Sequence, residues 1–468
     1  MRAARNRRAV LAVLIAAGLA GCGGGGDDPA PPTPTTSEAP AGLTVRVVDG
    51  DLGTPVAGAT VAPVGPAGVG ERLTTGADGT VTVPEGTTLA RVRREGYSAG
   101  AEDVEGPTTT VHIHDQRLQS PEYGVGPERT RFNPLVRAPV AGSVRRAWRF
   151  DGKRLLEFPP AVKDGVLVVG NNAGRVFGID ARTGRQLWTQ KRRSYIASSP
   201  AIGGRRAYIT SMDGLFTAYR LTTGTRLWEY SNGGSPIESS PLIIEDTAYF
   251  GAWNGELTAL NLRTGKPRWT YRGGDDIKGS AAKAGPNVVF GDYSGVLTAV
   301  NARTGARVWS TDVGARLYGG PGVSGNRIVI GDVGGQVVCV DARTGSVLWR
   351  HSTGGAYVYA SPAIARGTVF IGGYDGVFRA LDLRTGAVRW TFQVGGRISG
   401  SATVVGDTVY TAVLAAPGQP KRTWGLATAN GAVRFRADDG RYSPAVAAGR
   451  TVYIIGVRHI DAYRAPAR

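Results

Sequence analysis

DARTGSVLW, running from Asp341 to Trp349, is one copy of a phrase that recurs through most of this 468-residue chain. Close copies run from Asp180 to Trp188, Asn261 to Trp269, Asn301 to Trp309 and Asp382 to Trp390, and Thr222-Thr223-Gly224 stands before Trp228. In five of them Asp or Asn can bond the turn backbone, and in all six Gly can take the left-handed conformation that ends the turn. The tryptophans fall at Trp148, Trp188, Trp228, Trp269, Trp309, Trp349 and Trp390, at intervals of 40, 40, 41, 40, 40 and 41 residues, with Phe435 in the eighth place. A fixed period of this length marks a repeat architecture.

A second turn lies about ten residues before each of the central phrases: Asp213-Gly214, Asn254-Gly255, Ser294-Gly295, Gly334-Gly335 and Asp375-Gly376. Short alternating strands such as Val377 to Leu381 fill the gaps, so each repeat holds four strands and three turns, one propeller blade. The last repeat supplies Tyr442 to Tyr463 and stops before a tryptophan strand, whereas Ser143 to Phe150 is a tryptophan strand with no repeat before it. Placing that orphan outermost in the final blade closes the ring and removes exposed edges. The expectation is an all-β chain whose residues 143–468 form an eight-bladed β-propeller. Seven blades with one stray repeat is the alternative.

These phrases resemble the pyrroloquinoline-quinone-like propeller repeats, "A-x-D-x-x-T-G-x-x-x-W", over nearly all of residues 143–464. The resemblance implies that Trp148, Trp188, Trp228, Trp269, Trp309, Trp349 and Trp390 dock neighbouring blades, each contact worth about 2–3 kcal/mol. The family divides into quinone-dependent dehydrogenases and non-catalytic propellers. In the enzymes a quinone lies over a central tryptophan, beneath a disulfide of adjacent cysteines and beside a calcium. This chain has no adjacent cysteine pair, and its tryptophans outside the docking places are Trp253, in a hairpin turn, and Trp424, in the irregular seventh repeat. His351 and His459 stand alone, with no nucleophile or metal constellation around them. The reading is a non-enzyme without cofactor or metal. It is similar to the branch that includes the propeller lipoprotein of the outer-membrane β-barrel assembly machinery; a quinone-dependent dehydrogenase, or a sensor of small molecules or wall polymers, is the alternative.

Ahead of the repeats, Arg2, Arg5, Arg7 and Arg8 precede an apolar run from Ala9 to Ala20, too short to span a bilayer and suited to a signal peptide. It ends Leu19-Ala20-Gly21-Cys22, which resembles a bacterial lipobox and implies acylation of Cys22. Residues 1–22 are thus read as leader, and 23–41, rich in Gly, Pro and Thr, as a disordered tether. Cys339 is then without a partner and reads as a small buried hydrophobe. In residues 42–115, Gly53-Thr-Pro55-Val56-Ala-Gly58-Ala59-Thr-Val61, then Asp78-Gly79 and Gly96-Tyr97, resemble the carboxypeptidase-regulatory-like, transthyretin-like β-sandwich, with 116–142 as linker. His112 and His114 alternate on one strand and read as a solvated face rather than a metal pair.

The formal net charge of +18 favours anionic surfaces. Where the repeats agree they should be core: Leu156, Ile196, Ile237, Ile277, Leu317, Val358 and Ile398 share one place, with Gly440 the exception. The next residue must point the other way. It reads Glu157, Ala197, Glu238, Lys278, Tyr318, Tyr359, Ser399 and Arg441, and should ring the channel mouth. Arg192, Arg193, Tyr195, Arg316, Tyr357, Arg397 and Tyr442 should extend a basic, aromatic rim, the chemistry of binding anchors. The expected partner is a protein, or an acidic peptide or polymer of the cell envelope. The chain is expected to be an extracytoplasmic monomer, membrane-anchored through its lipid and without nucleic acid.

Overall fold

The computed structural model describes residues 42–414 and 421–464. The leader, Cys22 and the tether lie outside the described residues. Gly322–Ser324, Arg327–Gly331, Gln336–Asp341 and Val347–Ser352 form an antiparallel sheet in that order, and among the described residues eight four-stranded sheets of this kind follow one another. Second strands such as Thr368–Gly372 are buried at every position, because a neighbouring sheet covers each face. Fourth strands alternate exposed and covered residues, as open edges do.

The first strand of each sheet touches the first strand of the next, and Ala445–Ala448, in the last, touches Ala161–Lys163, in the first. The last sheet takes its fourth strand from far back in the chain: Arg146–Asp151 pairs His459–Arg464, with Trp148 opposite Ala462. This nearly all-β architecture is a β-propeller.

The tryptophans sit where neighbouring sheets meet. Trp188 Nε1 donates to the Leu221 carbonyl at 2.7 Å, Trp309 to Ala342 at 3.2 Å and Trp349 to Leu383 at 3.0 Å. Trp148, Trp228, Trp269 and Trp390 donate in the same way to Ala181, Leu262, Ala302 and Thr428. Each acceptor lies in the following sheet's turn. A β-bulge one residue before the indole turns it outward toward that neighbour. The turn glycine serves twice: Gly345 has φ of 75°, and a Cβ on it would lie 2.6 Å from the Trp309 ring. Cys339 is fully buried in the third strand of its sheet, and burial pushes its thiol up to about 12.

Residues 42–115 form two small sheets around Val45, Val47, Val61, Val92, Val111 and Ile113. Leu43–Asp49 lies between Thr80–Val83 and, in parallel, Thr108–Ile113. Their joint with the propeller corrects the expectation of a solvated histidine face. The His114 ring packs between Gly50 of this module and Gly165 of the propeller, with Nδ1 3.2 Å from Asp51 Oδ2 and little of the side chain exposed. Gln116 Nε2 donates to Asp164 Oδ1 at 2.6 Å, and Gln119 Nε2 to Asp51 Oδ2 at 2.7 Å. A strand that ends against another body is not free to show its polar face to water.

Burial disfavours the charged His114, but the hydrogen bond and charge of Asp51, with Asp164 and Asp49 behind it, outweigh burial and raise its pKa above 6.5. Its stabilising contribution is therefore complete below pH 6.5 and is lost as pH rises through the raised folded value. His112, depressed by burial and then by Arg182, works in the opposite sense. The difference between wild type and His114→Gln isolates the effect: urea midpoints should differ most at pH 5.5 and converge by pH 8.5.

Candidate functional site

Residues 116–142 are not a spacer. From Ser120 to Arg131 the chain runs through a series of turns and bends inside the ring and meets the first strand of every sheet. Ser120 and Val162 exchange both backbone hydrogen bonds, and the N–H of Ile202 donates to the Pro121 carbonyl at 2.7 Å. Ile243 N–H donates to Glu122 Oε2 at 3.0 Å. The N–H groups of Lys283, Val323, Ile364 and Val404 then donate in turn to the carbonyls of Pro127, Glu128, Thr130 and Arg131. Ser120 Oγ donates to Ala447 O at 2.5 Å, reaching the eighth sheet. This strap is held in costly conformations: Val125, Arg129 and Arg131 have φ of 76°, 57° and 56°.

Two strap arginines fill the channel axis, each 1% exposed. Arg129 donates to the carbonyls of Ala281 at 3.0 Å, Pro241 at 2.9 Å and Tyr123, and lies 3.3 Å from Glu122. Burial pushes the Glu122 carboxyl up to about 7 against the pull of Arg129. Arg131 stacks on the Tyr123 ring at 3.9 Å, and the Tyr123 hydroxyl meets Ser361 and Ser401 at 3.2 and 3.0 Å. Tyr123 is the floor of the cavity that opens at the other end of the channel.

Glu157, Glu238, Lys278, Tyr318, Tyr359, Ser399 and Tyr442 line that cavity together. The residues before them, from Leu156 to Ile398 in the series above, are buried at 2% exposure or less. Ala197 is buried, and Arg441 lies outside the lining with its guanidinium 5.4 Å over Tyr442. Tyr195 and Tyr357 project at 44% and 47% exposure, and Arg193 is exposed beside them. Arg192 departs from expectation: it is buried, its Nη1 2.6 Å from Glu229 Oε2 in the adjacent sheet, so it is not a rim residue.

Three mouth residues escaped the sequence reading: Trp253, Tyr293 and Tyr374. Each stands two places before the glycine of the second turn, a position the repeats leave variable, which was the available signal. Their backbone N–H groups donate to Pro236, Asp276 and Tyr357, fixing turn to rim loop. Trp253 Nε1 donates to Glu238 Oε2 at 3.2 Å, and the Tyr318 hydroxyl to Glu238 Oε1 at 2.5 Å. Lys278 Nζ lies 3.9 Å over Trp253 and 4.2 Å over Tyr293. Arg316 stacks on Tyr293 at 5.9 Å and Arg397 on Tyr374 at 5.5 Å. Among the described residues, Arg193, Arg316, Arg397 and Arg441 have no carboxylate within 4.0 Å, unlike Arg149, Arg268 and Arg389.

Burial raises the Glu157 carboxyl, helped by the charge of Glu238 and opposed by Arg441. Burial likewise raises Glu238 against Tyr318, Lys278 and Trp253. The residues present do not fit a quinone and its metal. The cavity holds ≈ 60 Å³, far below the roughly 300 Å³ at which small-molecule pockets begin. Its floor is Tyr123 rather than a tryptophan, and no group of three or more His, Cys, Asp or Glu among the described residues could hold a metal.

The family model described as outer membrane protein assembly factor BamB matches residues 135–297 and 293–460, more than half of the chain, and the chain belongs to that family. BamB from Moraxella catarrhalis superposes with a TM-score of 0.51 at 22% identity, over 57% of this chain and 85% of that one. A quinohemoprotein alcohol dehydrogenase from Comamonas testosteroni gives 0.63 at 14% identity, over 75% and 81%. At such identities these structures show the fold alone. A quinoprotein ethanol dehydrogenase of Pseudomonas putida is 28% identical over 137 residues, 26% of this chain and 22% of the relative. The chain thus spans about a fifth of the length of the curated relatives it matches.

Arg129 is the residue on which the strap turns. Arg129→Met strands the buried Glu122 and orphans three carbonyls, and should cost ~3–5 kcal/mol in urea unfolding. The double variant with Glu122→Gln should recover part of that loss.

Proposed function

We propose that this chain is a non-catalytic scaffold of the cell envelope whose channel mouth binds an acidic protein segment. One observation carries the reading: rim arginines stand exposed or stacked on tyrosines, with no carboxylate within 4.0 Å among the described residues, around an opening sealed beneath by Tyr123. Stacking holds the guanidinium plane and leaves its N–H edges free for a carboxylate. Tyr and Arg are the side chains that most often anchor interfaces.

The propeller is taken as eight-bladed and closed by Arg146–Asp151, the seven indoles as blade docking, and residues 42–115 as a carboxypeptidase-regulatory-like sandwich. The reading of residues 1–22 as a leader ending at Cys22 supports an extracytoplasmic, lipid-anchored chain, taken as a monomer. A family of outer membrane protein assembly factors agrees with a protein partner. The dehydrogenase alternative shares the fold, but its cofactor finds neither room nor ligands in this channel.

Charge reversal of Arg316 and Arg397 together should weaken binding of an acidic peptide at least tenfold, with the thermal midpoint unchanged. Wild-type binding should also weaken as salt rises from 0.05 to 0.3 M. Equal affinity of wild type and double variant would remove the mouth from consideration.

A further inference from the structure

The face opposite the mouth carries a second, independent charge pattern. In an antiparallel four-stranded sheet, the turns joining strands one to two and three to four share one end, and the turn joining two to three lies at the other. The Asp/Asn-x-Arg-Thr-Gly turns therefore all face away from the mouth. Their backbone is fixed: the side chains of Asp180, Asn261, Asn301, Asp341 and Asp382 each accept the N–H of the residue two places on, at 2.9–3.1 Å.

That residue is an arginine in all five turns: Arg182, Arg263, Arg303, Arg343 and Arg384. The turn leaves its side chain no course but outward, and all five are exposed. Among the described residues Arg182, Arg263, Arg303 and Arg384 have no carboxylate within 4.0 Å, and Arg343 approaches only its own turn's Asp341, at 3.9 Å and 82% exposed. The capping carboxylates point into their turns, and two of the five caps are neutral Asn. Between the second and third sheets, Arg205, Arg206, Arg220 and Arg263 also line an open groove of ≈ 450 Å³, together with Glu245 and Asp246 and with the exposed Leu227 at its side.

We propose that this arginine-studded face lies on an anionic phospholipid surface. The charges are spread over the turns of several sheets instead of converging on one point, which suits a plane of headgroups. The route of the chain favours lipid over a soluble polyanion. The 42–115 module joins the propeller on this face, with His114 against Gly165 and Asp51 against Gly449, both in turns joining strands one to two. Its first strand starts at Leu43, and the residues between Cys22 and Leu43 can span at most roughly 70 Å. Each arginine near such a surface adds about fivefold in attraction, and that attraction fades within roughly 8 Å at physiological salt.

The test is arginine-specific labelling by phenylglyoxal, read by mass spectrometry, on the intact chain anchored in vesicles. Phosphatidylcholine vesicles are compared with vesicles containing 30% phosphatidylglycerol. Labelling of Arg263, Arg303 and Arg384 should slow roughly fivefold or more on the anionic vesicles and recover in 0.5 M salt. Arg193, Arg316 and Arg397 at the mouth should react equally on both. Equal rates at the turn arginines overturn the proposal, as does protection by added polyglutamate but not by phosphatidylglycerol, which would make the ligand a polymer. Arg263→Gln with Arg303→Gln should abolish the difference at Arg384 while leaving acidic-peptide binding at the mouth intact. That arm separates failure here from failure of the mouth reading.

Discussion

The ring depends on an indole N–H reaching a carbonyl in the neighbouring sheet. Six of the seven acceptors lie 33 or 34 residues after their tryptophan, so the 40-residue period is that contact written into the chain. The bulge before each indole, the glycine beneath it and the Asp or Asn that sets the turn follow from it. Trp390 reaches 38 residues ahead, across the irregular seventh sheet. At the eighth place there is no indole: Phe435 meets Tyr410 and Tyr463 edge-on, and Gly142 packs against it from the strap's far end. The weakest joint is thus the one backed by chain that the repeats do not encode.

That division explains what the sequence disclosed. Turns, strands and the docking place of each tryptophan were legible because local chemistry and period both point to them. The mouth residues Glu157, Glu238, Lys278, Tyr318 and Tyr359 were legible because strand alternation forces them away from a core position that every repeat shares. The strap was not. Most of its bonds to the sheets run from backbone N–H groups to backbone carbonyls, which any sequence offers, and its Pro and Gly content imitates a linker. The clue left in it was charge, in Glu122, Arg129 and Arg131, and charge in a presumed linker suggests solvent rather than a channel axis. His114 was misread for the same reason, since its partner Gly165 lies in a turn that carries no mark of contact.

Sealing one end of the channel gives the propeller two unlike faces. At the mouth, side chains that vary between repeats converge, and the arginines there are stacked and unpaired. At the opposite end, an arginine fixed by the repeat itself recurs from sheet to sheet around the attached module. Tyr123, Arg129 and Arg131 fill the channel from below, and Tyr318 and Tyr359 narrow it from above.

The most direct measurement is site-specific photocrosslinking in the envelope, with a photoreactive residue at Tyr357 on the rim or at Leu348 on a perimeter strand. Both positions are exposed, at 47% and 44%, so they differ in place rather than accessibility. A discrete crosslinked protein from Tyr357, absent from Leu348, is the result the account predicts. Crosslinks from Leu348 alone would contradict it and move the binding surface to the sheet edges.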